Sequence, residues 1–144
     1  MKCVIQRVKE ASVLVNNSIK GKISQGLLIY VGFHKEDTYD ILDQAVDKIL
    51  KLRMFEDDNG KMNLSLNKQR HQILLISQFT LYGNTKSTNR PSFSEAMTYE
   101  KANEFYDALI EKLGLQVNVI PGTFGSHMEI ASINDGPVTL ILDF

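Results

Sequence analysis

The sequence predicts a mixed α+β fold in a single domain spanning residues 1–144: a largely antiparallel or mixed sheet with two amphipathic helices. Three observations carry this. Short apolar or alternating runs recur at residues 3–8, 11–15, 27–31, 73–76, 116–120, 128–134 and 138–143, each of strand length. Only two stretches repeat apolar residues at helical spacing, too few to cross over every strand pair of a doubly wound sheet. The chain has 144 residues, 43% hydrophobic and 23% charged, which suits one domain.

The elements follow in order. In residues 3–8, Val4, Gln6 and Val8 face one way and Cys3, Ile5 and Arg7 the other. Residues 11–15 read as a second short strand, and Asn16-Asn17 as a turn, since Asn tolerates positive φ. Residues 27–31 are apolar without alternation, as in a strand covered on both faces. Thr38 is placed to cap a helix over residues 39–52, whose Ile41, Leu42, Ala45, Val46, Ile49 and Leu50 form one stripe. Asp57-Asp58-Asn59-Gly60 is a turn. It is not a calcium loop, because Phe55 stands where that motif requires its first acidic ligand.

Residues 73–76 form a buried strand that runs into Ser77-Gln78-Phe79-Thr80, and residues 83–90 a polar loop. Thr98 is placed to cap the second helix, with Ala102, Phe105, Tyr106, Leu109, Ile110 and Leu113 inward and Gly114 at its end. Three strands finish the chain. Between the last two, Asp135-Gly136 signals a hairpin turn. Pro137 lacks an N–H and interrupts normal pairing there; composition alone favours a trans bond before it.

Several chemistries are excluded. The net charge of -1 rules out a general positive field, so any nucleic acid must be held by a local site. The single cysteine, Cys3, can form no disulfide within the chain and no Cys-based zinc site, and its strand position suits a buried, inert thiol. The first residues lack a signal-peptide pattern, and no apolar run reaches the ~18 residues of a spanning helix. A soluble cytoplasmic protein with no membrane partner is expected. No GxxxxGK[ST], GxGxxG or GxSxG motif occurs. His34, His71 and His127 share no metal-ligand spacing, so neither a metal nor a cofactor is expected. A Ser77–His127–Asp135 triad can be drawn, but nothing in the sequence favours it.

Three places could carry chemistry. Ser77, Gln78 and Thr80 interrupt an apolar run, residues 73–82. They either mark a strand end turning into solvent or line a pocket, where each unmet polar group costs about 1–3 kcal/mol. Gly136 permits close approach of another backbone. Arg7 shares a face with Cys3 and Ile5. It either snorkels to solvent at a sheet edge or turns inward and grips backbone carbonyls or a carboxylate.

Taken together these stretches resemble the D-aminoacyl-tRNA deacylase family. The likeness spans nearly the whole chain: Leu52-Arg53-Met54-Phe55-Glu56-Asp57, Gly60-Lys61-Met62-Asn63, residues 77–82, Arg90-Pro91-Ser92-Phe93, Phe124-Gly125 with Met128, and residues 134–139. The resemblance implies a homodimer of compact β-barrel-like protomers with the helices outside. It implies a catalytic site at Ser77, Gln78, Phe79 and Thr80, with Ser77 and Gln78 orienting substrate and the main chain at Phe79 and Thr80 holding an oxyanion. Gly136-Pro137 of the partner chain, joined by a cis bond and held by Arg7, enters that site as a chirality gate. Phe124, Gly125 and Met128 take the terminal adenine of the tRNA. The implied reaction is hydrolysis of the D-aminoacyl-tRNA ester, activated by the terminal 2′-OH, with glycyl-tRNA mischarged on tRNA(Ala) as a further substrate. Two departures are visible: residues 85–90 are less basic than the family's usual run, which bears on tRNA-backbone contacts there, and Ser126 replaces the commoner alanine. A sister family has a proline-initiated form of the Ser77–Thr80 stretch and edits certain L-amino acids; Ser77 and Arg7 argue against it. The alternatives are a non-catalytic nucleic-acid-binding dimer and a Ser77-nucleophile hydrolase of small D-amino esters.

Overall fold

The computed structural model describes residues 1–86 and 89–144. Two residues of the expected polar loop, Ser87 and Thr88, lie outside the described residues. The sheet is mixed, as expected. Strand β1 (Lys2–Val15) pairs antiparallel with β2 (Ser18–Ile23), β3 (Gly26–Gly32) and β8 (Glu129–Asp143). Strand β3 pairs in parallel with β6 (Gln72–Ser77), and β6 in parallel with β7 (Asn118–Pro121). The sheet order is β2-β1-β3-β6-β7, with β8 on β1. The sheet curls until β2 meets its far side, where a side chain at Gly21 would run into Ile120 of β7. A separate two-stranded ribbon joins β4 (Arg53–Glu56) to β5 (Met62–Ser65) through the Asp57–Gly60 turn.

Two apolar clusters explain why residues 27–31 do not alternate. Leu27, Ile29 and Val31 point to a large core shared with helices α1 (Asp40–Lys51) and α2 (Tyr99–Gly114), while Leu28 points to a smaller core inside the curled sheet. Strand β6 does the same, with Ile73 and Leu75 outward to the helices and Leu74 and Ile76 inward. The helix stripes are as the spacing predicts: Leu42, Ala45, Val46, Ile49 and Leu50 on α1, and Phe105, Tyr106, Leu109 and Leu113 on α2, are buried. Cys3 is fully buried, and burial pushes its thiol up to about 12, which keeps it protonated and inert.

Three expectations are corrected, and strand β2 goes unread in the sequence. The runs at residues 3–8 and 11–15 are one long strand, because β1 serves β3 with its first half and β2 with its second. Strand β2 shows little apolar signal, since only Gly21 and Ile23 are buried on it. It follows from the turn, where both Asn16 and Asn17 have positive φ, as a two-residue hairpin demands. Neither threonine caps its helix through the hydroxyl: Tyr39 holds the cap position of α1, and Thr98 caps α2 in position only, its carbonyl accepting from Ala102 N–H. Finally, Asp135-Gly136 makes no hairpin. Strand β8 continues through it, and both halves pair with β1.

Candidate active site

Strand β6 ends at Ser77, directly opposite Val31 of β3. The Gln78 N–H still donates to the Val31 carbonyl at 2.7 Å, and there the ladder stops. A single 3-10 turn follows, Phe79–Tyr82, closed by Leu81 N–H to the Gln78 carbonyl. The main-chain N–H groups of Phe79 and Thr80 open this turn, and no acceptor among the described residues meets them; helix starts leave such donors free for a ligand. The Gln78 side-chain amide donates to Thr80 Oγ1 at 2.6 Å, so these two side chains fix each other. Phe79 is 57% exposed and meets Phe93 edge-on, their centroids 5.0 Å apart.

Beside this turn lies a mainly apolar cleft of about 580 Å³. Ser77, Gln78 and Phe79 form one wall; Phe124, Gly125 and Met128 form another. The sequence separates these two groups by more than forty residues. The parallel pairing of β6 with β7 brings them together, because both strands deliver their next residues at the same end. Phe33, Met97, Tyr99 and Ala102 also line the cleft, and sequence reasoning assigned none of the four to the site. Tyr99 alone carried a signal, an aromatic residue at the exposed first position of a helix. Thr80 is near but does not line the cleft.

His127 lines the same cleft as Ser77, but no hydrogen bond joins them, and Asp135 is held elsewhere by Arg7. The triad drawn on the sequence is not assembled. His34 bonds Glu95 through Nε2 at 3.1 Å, and His71 stacks on Phe55 with centroids 3.9 Å apart, so both do packing work.

Arg7 turns inward and is paired. It is 4% exposed. Its Nη1 donates to the Met54 carbonyl at 2.8 Å and its Nε to the Asp135 carbonyl at 3.2 Å; Glu56 Oε1 and Asp135 Oδ2 each lie at 3.3 Å. The guanidinium thereby fastens the ribbon β4–β5 to the point where β8 leaves the ladder. Gln6 faces Thr139 and Val8 faces Asn134, so residues 135–138 bulge out opposite Arg7 alone. Gly136 and Pro137 sit exposed at the tip, with a cis bond between them and Gly136 at φ +129. The Asn134 side chain ties the bulge off by accepting from Val138 N–H at 3.0 Å. Neither Arg7, Gly136 nor Pro137 lines the cleft of Ser77; Arg7 and Asp135 border a second cleft of about 580 Å³ with Phe55, Arg70 and His71. Within a single chain, then, the candidate residues fall into two groups.

A family signature described as D-Tyr-tRNA(Tyr) deacylase matches residues 4–143. The chain belongs to this family. A D-aminoacyl-tRNA deacylase of Kosmotoga olearia is 49% identical over 143 residues, covering 99% of this chain and 97% of that protein. Among solved structures, the c-Myc DNA Unwinding Element Binding Protein superposes with a TM-score of 0.94 at 39% identity, over 100% of this chain and 99% of its own. A probable eukaryotic D-amino acid tRNA deacylase superposes at 0.85 with 19% identity, over 99% and 98%, which speaks for the fold. This chain and the probable eukaryotic deacylase thus share one fold, a mixed curled sheet with two helices outside.

Proposed function

We propose that the protein hydrolyses D-aminoacyl-tRNA to free D-amino acid and tRNA, and that the active unit is a homodimer. The observation that supports this best is the cleft itself. In a chain of the deacylase family, the Phe79 and Thr80 N–H groups, unmet among the described residues, stand beside a mainly apolar cleft bordered by Phe124, Gly125 and Met128. In this reading the terminal adenine packs on Phe124, a contact worth about 1–3 kcal/mol, and the ester carbonyl lies over the 3-10 turn. Water adds to the carbonyl carbon. The Phe79 and Thr80 N–H groups hold the oxyanion, the bond to the terminal ribose oxygen breaks, and that oxygen leaves with a proton. The neighbouring 2′-OH polarises the ester, which also makes the enzyme select RNA over DNA. Ser77 and the Gln78–Thr80 pair orient the substrate.

A lone protomer cannot gate its own cleft. Gly136-Pro137 is exposed, projects from the sheet and is anchored by Arg7, so it suits insertion into the cleft of a second copy. Its main-chain groups then occupy the space an L side chain needs, and chirality is rejected by clash rather than by side-chain recognition. Glycine has no side chain to clash, so glycyl-tRNA mischarged on tRNA(Ala) is also a substrate.

The test of the chemistry is D-tyrosyl-tRNA ending in 2′-deoxyadenosine beside the ordinary ribose terminus. The proposal expects the deoxy ester to survive while the ribose ester is lost. Equal loss of both, abolished by Ser77→Ala, points instead to a serine nucleophile.

A further inference from the structure

Tyr106 sits on the inward face of α2 and is 1% exposed. Its hydroxyl donates to the Leu75 carbonyl at 2.6 Å and lies 3.3 Å from the Gly122 carbonyl. The same Leu75 carbonyl accepts from Gly122 N–H at 2.8 Å, the last bond of the β6–β7 ladder. Beyond it the two chains diverge. Residues 76–79 form one wall of the cleft, and residues 122–128 run to the other. A phenol deep in the core thus clamps the fork from which both walls spring. Burial pushes its proton affinity up, so it stays a donor throughout the working pH range.

The surroundings add to the constraint. The Tyr106 ring packs against Phe124 at 5.6 Å, and Phe124 meets Tyr99 edge-on at 5.1 Å. At Gly122 an added Cβ would fall 2.8 Å from both Ile76 Cδ1 and Met128 Sδ, so the fork is packed too closely for a side chain. Nothing else polar reaches it, because Tyr106 is the one side chain hydrogen-bonding to Leu75 or Gly122 among the described residues.

The geometry points to Tyr106 as a positioning residue: its hydroxyl sets the spacing between the Ser77–Phe79 wall and the Phe124–Met128 wall, and through it the fit of the terminal adenosine. This rests on the proposed reading of the cleft. Tyr106→Phe keeps the ring packing and removes only the hydroxyl, so its effect falls on spacing.

The variant and a control, Ile49→Val on α1 away from the cleft, are compared by three readouts. These are titration with adenosine 5′-monophosphate, steady-state hydrolysis of D-tyrosyl-tRNA, and amide exchange at Gly122. A hydrogen bond's usual net value sets the expected size: Kd and KM rise about fivefold together in Tyr106→Phe with kcat within about twofold. Gly122 exchange quickens, while Ile49→Val keeps wild-type Kd and KM. Wild-type Kd, KM and Gly122 exchange in Tyr106→Phe overturn the inference, and so does the same KM shift in Ile49→Val. If the wild-type protein cleaves no D-ester, the reading of the cleft fails on its own. Gly122 exchange then decides the clamp: quickened exchange upholds it and unchanged exchange overturns it.

Discussion

Replacing Arg7 by Met tests whether the guanidinium is the anchor of the 135–138 bulge. Methionine keeps most of the stem volume and removes every hydrogen bond. The bond to the buried Met54 carbonyl has a charged donor, which puts its loss at about 1.5–3 kcal/mol. Glu56 is 58% exposed and rehydrates when its partner goes, so that pair adds under about 1 kcal/mol. Asp135 is 26% exposed and recovers water only in part, which adds roughly another 1 kcal/mol. The sum is about 2.5–5 kcal/mol. Urea unfolding at one fixed protein concentration reads it, since the stability of the proposed dimer would depend on concentration. The proposed gate carries a functional expectation: L-tyrosyl-tRNA, expected to survive the wild type, begins to be cleaved by Arg7→Met. A stability loss below about 1 kcal/mol refutes the anchoring argument. A full loss with D/L selectivity intact leaves Arg7 structural and severs it from the gate.

Two further outcomes are expected. Gly125 has φ +70, and an added Cβ would collide with the Tyr99 hydroxyl and ring, so Gly125→Ala should raise KM about tenfold, the equivalent of 1.4 kcal/mol, with kcat less affected. Michaelis curves check this, and Tyr99→Ala in the same chain should recover some of the loss by making room. His71 has its pKa lowered, first by burial and second by Arg70, so the folded state holds it neutral where the unfolded chain protonates below about pH 6.5. Its contribution to stability is therefore complete above that pH and declines as pH falls from 6.5 toward the folded pKa. Unfolding of His71→Phe, which keeps the stack on Phe55, should show a flatter pH profile than the wild type across this window.

Much of the fold was legible because burial imposes simple periods. The stripes on α1 and α2 and the unbroken apolar runs of β3 and β6 follow from one or two covered faces, and each reads directly from residue spacing. Strand β2 did not, because its Ser18, Lys20 and Lys22 face solvent and its pairing is dictated by the Asn16-Asn17 turn rather than by apolar content. The Asp135-Gly136 signal misled for a related reason. Turn chemistry specifies a local reversal, but here both flanking segments find the same long partner, β1, and the extra residues are extruded as a bulge.

The candidate site was legible in pieces. Polar residues at the end of an apolar strand pointed to Ser77, Gln78 and Thr80, and the strand face of Arg7 offered an inward, paired guanidinium as one of two readings. Phe124, Gly125 and Met128 came only from resemblance, since nothing local relates them to β6; parallel pairing does that, and pairing is a property of the whole chain. Tyr106 looked like ordinary helix packing. Its hydroxyl gains meaning only once the diverging ends of β6 and β7 are seen above it.

The most direct test of the proposed activity is hydrolysis of D-tyrosyl-tRNA beside L-tyrosyl-tRNA by the wild-type protein, with a chelator in both reactions. The expected result is rapid loss of the D ester and survival of the L ester. Equal cleavage of both contradicts the Gly136-Pro137 gate, and survival of both contradicts the deacylase activity.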